Sequence, residues 1–102
     1  MSRLPLSFGC GALRLAATLD TAPGTTGLLI VSGGNEIRAG AFSGQARLAA
    51  RIARAGFPVF RFDRRGVGDS EGANRGFRHS AKDIAAAIEA FHAIAPQITR
   101  VV

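Results

Sequence analysis

The chain has no tryptophan and no tyrosine, and one each of cysteine, methionine and lysine among 102 residues. Each scarcity closes something off. Cys10 stands alone, so there is neither a disulfide framework nor the paired spacing of a metal-ligating cluster, and a reducing compartment fits. Seven phenylalanines carry all the aromatic bulk. No apolar run approaches the ~20 residues of a membrane span. The opening M-S-R-L-P-L-S-F-G-C has a short apolar run that holds Pro5 and is cut by Arg14, which is poor material for a signal peptide. Ser7 also stands where a lipoprotein site before Cys10 would want leucine. A cytoplasmic location is the expectation. No internal repeat or low-complexity tract is present.

Acidic residues are also few. The net charge is +6, and Lys82 is the one basic residue besides arginine and histidine. Basic proteins attract nucleic acid, but these arginines are scattered. Only Arg47, Arg51 and Arg54 share a helical face, and a solvated face is the simpler reading than a phosphate-binding stripe. No aromatic platform is interleaved with them, so no nucleic-acid partner is expected. What remains is a globular composition, 47% apolar and 20% charged, of a length that suits one domain.

Residues 13–19 alternate Leu13, Leu15, Ala17 and Leu19 with Arg14, Ala16 and Thr18, the period of a half-buried strand. A shorter strand is expected around residues 4–8, and residues 20–26 read as a turn. Residues 27–32, G-L-L-I-V-S, form a continuous apolar run of the kind buried on both faces in a parallel sheet. A polar loop opened by Gly33-Gly34-Asn35-Glu36 runs to Gly40. A helix is expected over residues 41–55, with Phe42, Leu48 or Ala49, Ile52 and Ala53 inward and Gly56 as its stop. Residues 58–63 read as the next buried strand, which makes a right-handed βαβ unit. Ser80 to Asp83 resemble a capping box, opening a helix with Ile84, Ala87 or Ile88, Phe91 and Ala95 on one stripe. Pro96 ends it, and residues 98–102 begin another strand.

The centre of this arrangement is residues 60–72, F-R-F-D-R-R-G-V-G-D-S-E-G: a strand that breaks into a glycine-rich polar turn. Asp63 falls at the carboxyl end of that strand, where open α/β sheets place ligands. As a dinucleotide cradle the turn fits poorly, because Glu71 stands where the third glycine of G-x-G-x-x-G belongs. No Gly-Lys-Ser/Thr follows either glycine turn, so a P-loop fits less well still. Ser32, Ser43, Ser70 and Ser80 are the serines to weigh as nucleophiles. Ser70 tempts by its flanking glycines in G-D-S-E-G, but it reads better as a turn serine bonding nearby backbone. His79 looks loop-borne and could pair with Asp63, while His92 reads as a surface or packing residue. Cys10 reads as a small core residue. Residues 33–36 follow a buried strand and precede a helix, so their backbone N–H groups could serve an oxyanion, or simply connect.

Together the G-G-N loop, the A-G-F-P-V-F-R-F-D strand and D-R-R-G-V-G-D-S-E-G closely resemble the front half of the α/β-hydrolase fold, over residues 12–102. The family's D-x-x-G-x-G-x-S is matched in register by Asp63, Gly66, Gly68 and Ser70. V-S-G-G-N-E-I-R-A-G with R-F-D-R-R-G-V-G-D-S-E-G is most similar to hydrolases associated with exosortase A systems, which accompany bacterial exopolysaccharide and protein-sorting loci. The resemblance implies a three-layer α/β sandwich with a mostly parallel sheet. It implies a serine- or cysteine-nucleophile hydrolase of ester or similar acyl bonds, with a small-molecule acyl substrate and no metal or organic cofactor. The backbone N–H of Asn35, or of Gly34, would be the first half of the oxyanion hole. Many members carry His-Gly where this chain has Gly33-Gly34, a histidine that orders the loop. Asp63, Gly66, Gly68 and Ser70 would be a structural turn motif that braces loops. The nucleophile, acid and histidine would follow Val102. Residues 1–102 are therefore expected to be the amino-terminal segment of one hydrolase domain, truncated before the nucleophile elbow and inactive alone. The alternatives are a nucleotide-binding α/β module and a non-enzymatic scaffold of hydrolase fold.

Overall fold

A computed structural model describes residues 2–31, 37, 38, 40, 43–72 and 80–102. Along them run β1 (Arg3–Cys10), β2 (Leu13–Asp20), β3 (Thr26–Val31), α1 (Gly44–Arg54), β4 (Val59–Phe62), α2 (Ser80–Ile94) and β5 (Arg100–Val101). The strands form one sheet in the order β1-β2-β4-β3-β5. β2 is antiparallel to both its neighbours, while β3 is parallel to β4 and β5. It follows that four strands point one way and β2 alone is reversed. With a helix on each face this is a three-layer α/β sandwich.

The two faces of the sheet are chemically different. Side chains alternate along a strand, so Phe60 and Phe62 face one way and Arg61 the other. The Phe60 side is apolar: Phe8, Leu15, Ala17, Leu19 and Phe62 pack there against Ala87 and Phe91 of α2 and Ala95 just after it. Phe60 and Phe91 stack with ring centroids 5.2 Å apart, and Phe8 meets Phe60 and Phe62 at 5.8 and 5.9 Å. Gly27 makes room for this cluster, because a Cβ there would lie 2.6 Å from the Phe91 ring. The opposite side lies under α1 and carries Thr18, Asp20, Arg61 and Asp63, all buried.

α1 is shorter than its apolar pattern suggests. It begins at Gly44, after Ser43 in the left-handed region at φ 58° with no side-chain cap. Ala49 and Ala53 are its buried residues, and their small size lets the helix sit close on the polar layer. Leu48, an alternative for the inner stripe, is instead 49% exposed. Phe42 lies outside the described residues. The helix stops at Gly56, φ 103°, where the Gly56 N–H donates to Ala53 O and the Phe57 N–H to Ile52 O. That pair of bonds is the Schellman closure which glycine's tolerance of positive φ permits. β1 and β2 extend beyond their expected limits, to Arg3–Cys10 and Leu13–Asp20, because they pair along their whole length.

Candidate functional site

β4 ends at Phe62 and the chain turns at Asp63, whose side chain is fully buried. The turn wraps around that carboxylate. Asp69 N–H donates to Asp63 Oδ2 at 3.0 Å, and Gly68 passes so close that a Cβ on it would lie 2.5 Å from the same oxygen. Gly66, Gly68 and Gly72 all have positive φ, at 71°, 53° and 92°. The glycine turn thus cradles an anion, but the anion is the protein's own Asp63. This disposes of the pyrophosphate reading more directly than the mismatched spacing does: a phosphate would have to displace a buried carboxylate.

Arg38 supplies the countercharge. Its guanidinium bonds Asp63 Oδ2 through Nη1 and Thr18 Oγ1 through Nε at 2.9 Å, and its backbone N–H donates to Asp63 Oδ1 at 2.6 Å. Nη1 also reaches Asp69 Oδ2 at 3.3 Å, and Arg38 O accepts from Arg61 Nη1 at 2.8 Å. One residue therefore ties the segment between β3 and α1 to β2, to β4 and to the glycine turn. Beside it Asp20 takes Arg3 Nε at 2.6 Å, with Arg61 Nη2 at 3.7 Å. Burial pulls the Arg61 guanidinium below its ordinary pKa, with Asp20 opposing and Arg3 and Arg38 adding to the shift.

Ser70 continues the sheet where β4 has ended. Its Oγ accepts from the Ala16 N–H at 2.8 Å and donates to the Asp63 carbonyl. The Asp63 N–H in turn donates to Ala16 O at 2.9 Å. Gly68-Asp69-Ser70-Glu71-Gly72 spells the letters G-x-S-x-G, but letters alone make no nucleophile elbow. The elbow needs a serine exposed at a strained strand-to-helix turn. Here the hydroxyl is engaged by two backbone groups, and Ser43 is the one non-glycine residue with positive φ among the described residues.

A second buried carboxylate anchors the other side of the turn. Arg65 donates to Asp83 through its backbone N–H at 3.0 Å, Nε at 2.8 Å and Nη2 at 2.6 Å. The capping role expected of Asp83 thus gives way to a tertiary one, with both carboxylate oxygens held by Arg65. Burial alone would raise the Asp83 carboxyl, but Arg65's hydrogen bonds and charge outweigh it and hold the group below its usual value. Cys10 is buried with Sγ 3.5 Å from Asp83 Oδ1. Burial and the neighbouring Asp83 push its thiol up, against Arg65. That makes it a weak nucleophile.

Asn35 and Gly34, the expected oxyanion donors, lie outside the described residues, as do Gly33, Ser32 and His79. His92 is exposed on α2, and Arg47, Arg51 and Arg54 are exposed on α1. Among the described residues no group of three or more His, Cys, Asp or Glu could hold a metal ion, and no helix is long and apolar enough to cross a membrane. The polar layer of Thr18, Asp20, Arg38 and Arg61 had one sequence signal, unused in reading the motif: an arginine inside the apolar run P-V-F-R-F must be buried with a partner.

No protein-family model matches the chain, and no curated protein matches it. Solved structures do. The α/β-hydrolase GrgF from Penicillium superposes with a TM-score of 0.76 at 25% identity, over 90% of this chain and 32% of its own. An esterase from Pyrococcus furiosus gives 0.80 at 15% identity, over 98% of this chain and 40% of its own. An α/β serine hydrolase homologue from Coxiella burnetii gives 0.73 at 19% identity, over 96% and 49%. The chain has the fold of the amino-terminal part of an α/β-hydrolase, and it spans about a third of the length of the first solved structures it matches.

Proposed function

We propose that this chain is the amino-terminal segment of a hydrolase of ester or similar acyl bonds, of the kind associated with exosortase and exopolysaccharide systems. The observation that carries the reading is the superposition on hydrolases and esterases over nine-tenths or more of the chain. In that reading the segment between β3 and α1 supplies half of an oxyanion hole, through the backbone N–H of Asn35 or Gly34. Arg38 and Asp63 hold the end of that segment against the carboxyl end of β4. The turn of Asp63, Gly66, Gly68 and Ser70 is structural and takes no part in bond cleavage. The nucleophile, its histidine and its acid come from elements after β5. Attack on the acyl carbonyl would develop negative charge on its oxygen. The N–H groups aimed at that oxygen stabilise it more than the ground-state carbonyl, and removing one such donor costs about 10²–10³ in rate. The substrate is a small acyl compound, the protein is cytoplasmic, and the chemistry needs no cofactor.

The test is to read the source gene beyond the codon for Val102 and to assay its product on short p-nitrophenyl esters beside the 102-residue chain. A Gly-x-Ser-x-Gly or cysteine elbow soon after β5, with turnover by the longer product and none by the 102-residue chain, is the expected result. A longer product without a nucleophile at that elbow, or turnover by the 102-residue chain itself, rejects the reading. Exosortase or exopolysaccharide genes beside it are expected; their absence removes the finer kinship and leaves the acyl-hydrolase reading standing.

A further inference from the structure

β1 and β5 are the two edges of the sheet. The main-chain groups of β1 divide by register. Thr21 N–H donates to Ser2 O at 2.8 Å, which makes Ser2 and Thr21 a hydrogen-bonded pair. Antiparallel pairs alternate, so Leu4, Leu6, Phe8 and Cys10 bond β2, while Arg3, Pro5, Ser7 and Gly9 turn their main-chain groups outward. Ala16, opposite Ser7, shows the same parity from β2. Its N–H goes to Ser70 Oγ and its carbonyl to Asp63 N–H, both on the β4 side. Natural edges are blunted with proline and charge, and here the blunting is partial. Pro5 has no N–H to offer, so it ends any ladder on this edge. Beyond it the Ser7 N–H, the Gly9 N–H and the Gly9 carbonyl have no hydrogen-bond partner among the described residues. The Ser7 carbonyl accepts from Arg14 Nη2 at 3.3 Å and keeps a second lone pair. The outward groups of residues 7 and 9 lie roughly 7 Å apart, the two-residue repeat of an extended chain.

The two faces of this stretch differ in chemistry. On the α2 side Leu6, Phe8, Ala86, Ala90, Ala93 and Ile94 line an open groove of ≈ 610 Å³, with Glu89 on its wall. Glu89 also borders a neighbouring cavity beside Cys10, so it stands toward the Cys10 end, and Ile94 toward the Leu6 end. On the opposite face Gly9 has no side chain, and Arg14 reaches across it: a Cβ on Gly9 would lie 3.7 Å from Arg14 Nη1. The guanidinium ends on Ser7 Oγ at 2.9 Å. Glu89 and Arg14 are both exposed, and neither forms an ion pair among the described residues. The edge thus offers a negative charge on one face and a positive charge on the other.

We propose that residues 6–10 of β1 take up an extended peptide segment of another protein, paired antiparallel to β1 as an added strand. Its main chain completes the ladder at Ser7 and Gly9, which only another extended backbone can do. Its side chains alternate between the faces. Apolar residues enter the groove opposite Leu6 and Phe8, and a basic residue on the same face meets Glu89 at the Cys10 end. Acidic residues on the other face meet Arg14. Strand addition of this kind takes affinity from main-chain bonds and specificity from alternate side chains. This inference is independent of the acyl-hydrolase reading, because β1 lies at the edge remote from β5 and none of its residues has a part in that chemistry.

The test is two-dimensional amide NMR of the 102-residue chain at fixed ionic strength, titrated with acetyl-Lys-Glu-Val-Glu-Val-amide. In the proposed pairing its lysine lies opposite Cys10 and its valines opposite Phe8 and Leu6. Saturable shifts at Ser7, Gly9 and Ala90 are expected. The same peptide N-methylated at both glutamates cannot pair and should give none. Exchanging the charges, as acetyl-Glu-Lys-Val-Lys-Val-amide, should weaken binding roughly tenfold, because both surface pairs become like-charge contacts. Glu89→Lys should weaken the first peptide roughly fivefold. Ser7→Pro removes an outward N–H, leaves the β1–β2 bonds in place and should abolish the shifts. The N-methylated peptide asks the same question of the unaltered chain, so a folding defect in that variant does not decide the matter. Three results overturn the proposal. One is no saturable shift at Ser7 and Gly9 with the first peptide. Another is equal binding of the N-methylated or the charge-exchanged peptide. The third is shifts at these amides that follow the concentration of the chain alone, which would assign the edge to a second copy.

Discussion

Gly68 carries two separable requirements, its backbone angle and its nearness to Asp63. A non-glycine residue at positive φ costs about 1–3 kcal/mol, and here the new Cβ would also meet a carboxylate oxygen. Gly68→Ala is therefore expected to lower the urea midpoint more than Gly11→Ala, where φ is +57° but a Cβ would meet nothing within 4 Å. Equal losses would mean that the approach to Asp63 relaxes freely. Arg38→Gln leaves the buried Asp63 carboxylate without its countercharge, and breaking such a pair typically costs about 3–5 kcal/mol. Acid titration should expose the second anchor. Asp83 titrates below its ordinary value, so its contribution is complete above about pH 4 and is lost as pH falls through the depressed value. The stability gap between the parent chain and Asp83→Asn, followed by urea unfolding from pH 7 to pH 2, should shrink in that acid range; a constant gap would show that the pair has no pH-linked role. Cys10, buried and raised, should react with iodoacetamide slowly in buffer and quickly in urea. At this scale the sequence was legible in part. D-x-x-G-x-G-x-S announced a tight turn, but nothing in the spacing said that the turn closes on its own aspartate. Arg38, 25 residues before Asp63, offered no local pattern at all.

Among elements, the approach of β3 to α2 at Gly27 and Phe91 can be tested. Gly27→Ala should destabilise the chain, since its Cβ would lie 2.6 Å from the Phe91 ring and 2.8 Å from Ile98. Phe91→Ala removes a fully buried ring and should cost about 3–5 kcal/mol. If the clash is the cause, adding Gly27→Ala to Phe91→Ala should cost less than it does in the parent. Additive losses in the double variant would place the effect of Gly27 elsewhere. The strands and helices themselves were legible, because each carries its period: alternation in β2, apolar runs in β3 and β4, a three-to-four spacing in α2. The failures lie at ends and on α1. The pattern offered Leu48 and Ala49 as alternatives, and Ala49 took the inward place because a buried polar layer leaves room for alanine only. β1 looked shorter than it is because an edge strand exposes most of its side chains and shows little alternation.

For the molecule as a whole, the contrast between the two faces of the sheet matters most. The α2 side is held by aromatic and aliphatic packing, so volume-conserving changes there should be tolerated. The α1 side is held by paired charges whose members cannot be exchanged singly. The strand order adds a constraint on time. β2 and β3 follow each other in the chain but are not neighbours; β4 inserts between them and pairs with both. Until residue 62 has been synthesised, the β1–β2 hairpin and β3 have no shared ladder, and no sheet of more than two strands can close. A growing chain of this protein must wait for the P-V-F-R-F run at residues 58–62 before its first half becomes anything but a hairpin and a loose strand. Assembly is gated by a single four-residue strand, and the lag before protease resistance appears during synthesis should track the emergence of Val59–Phe62 from the ribosome.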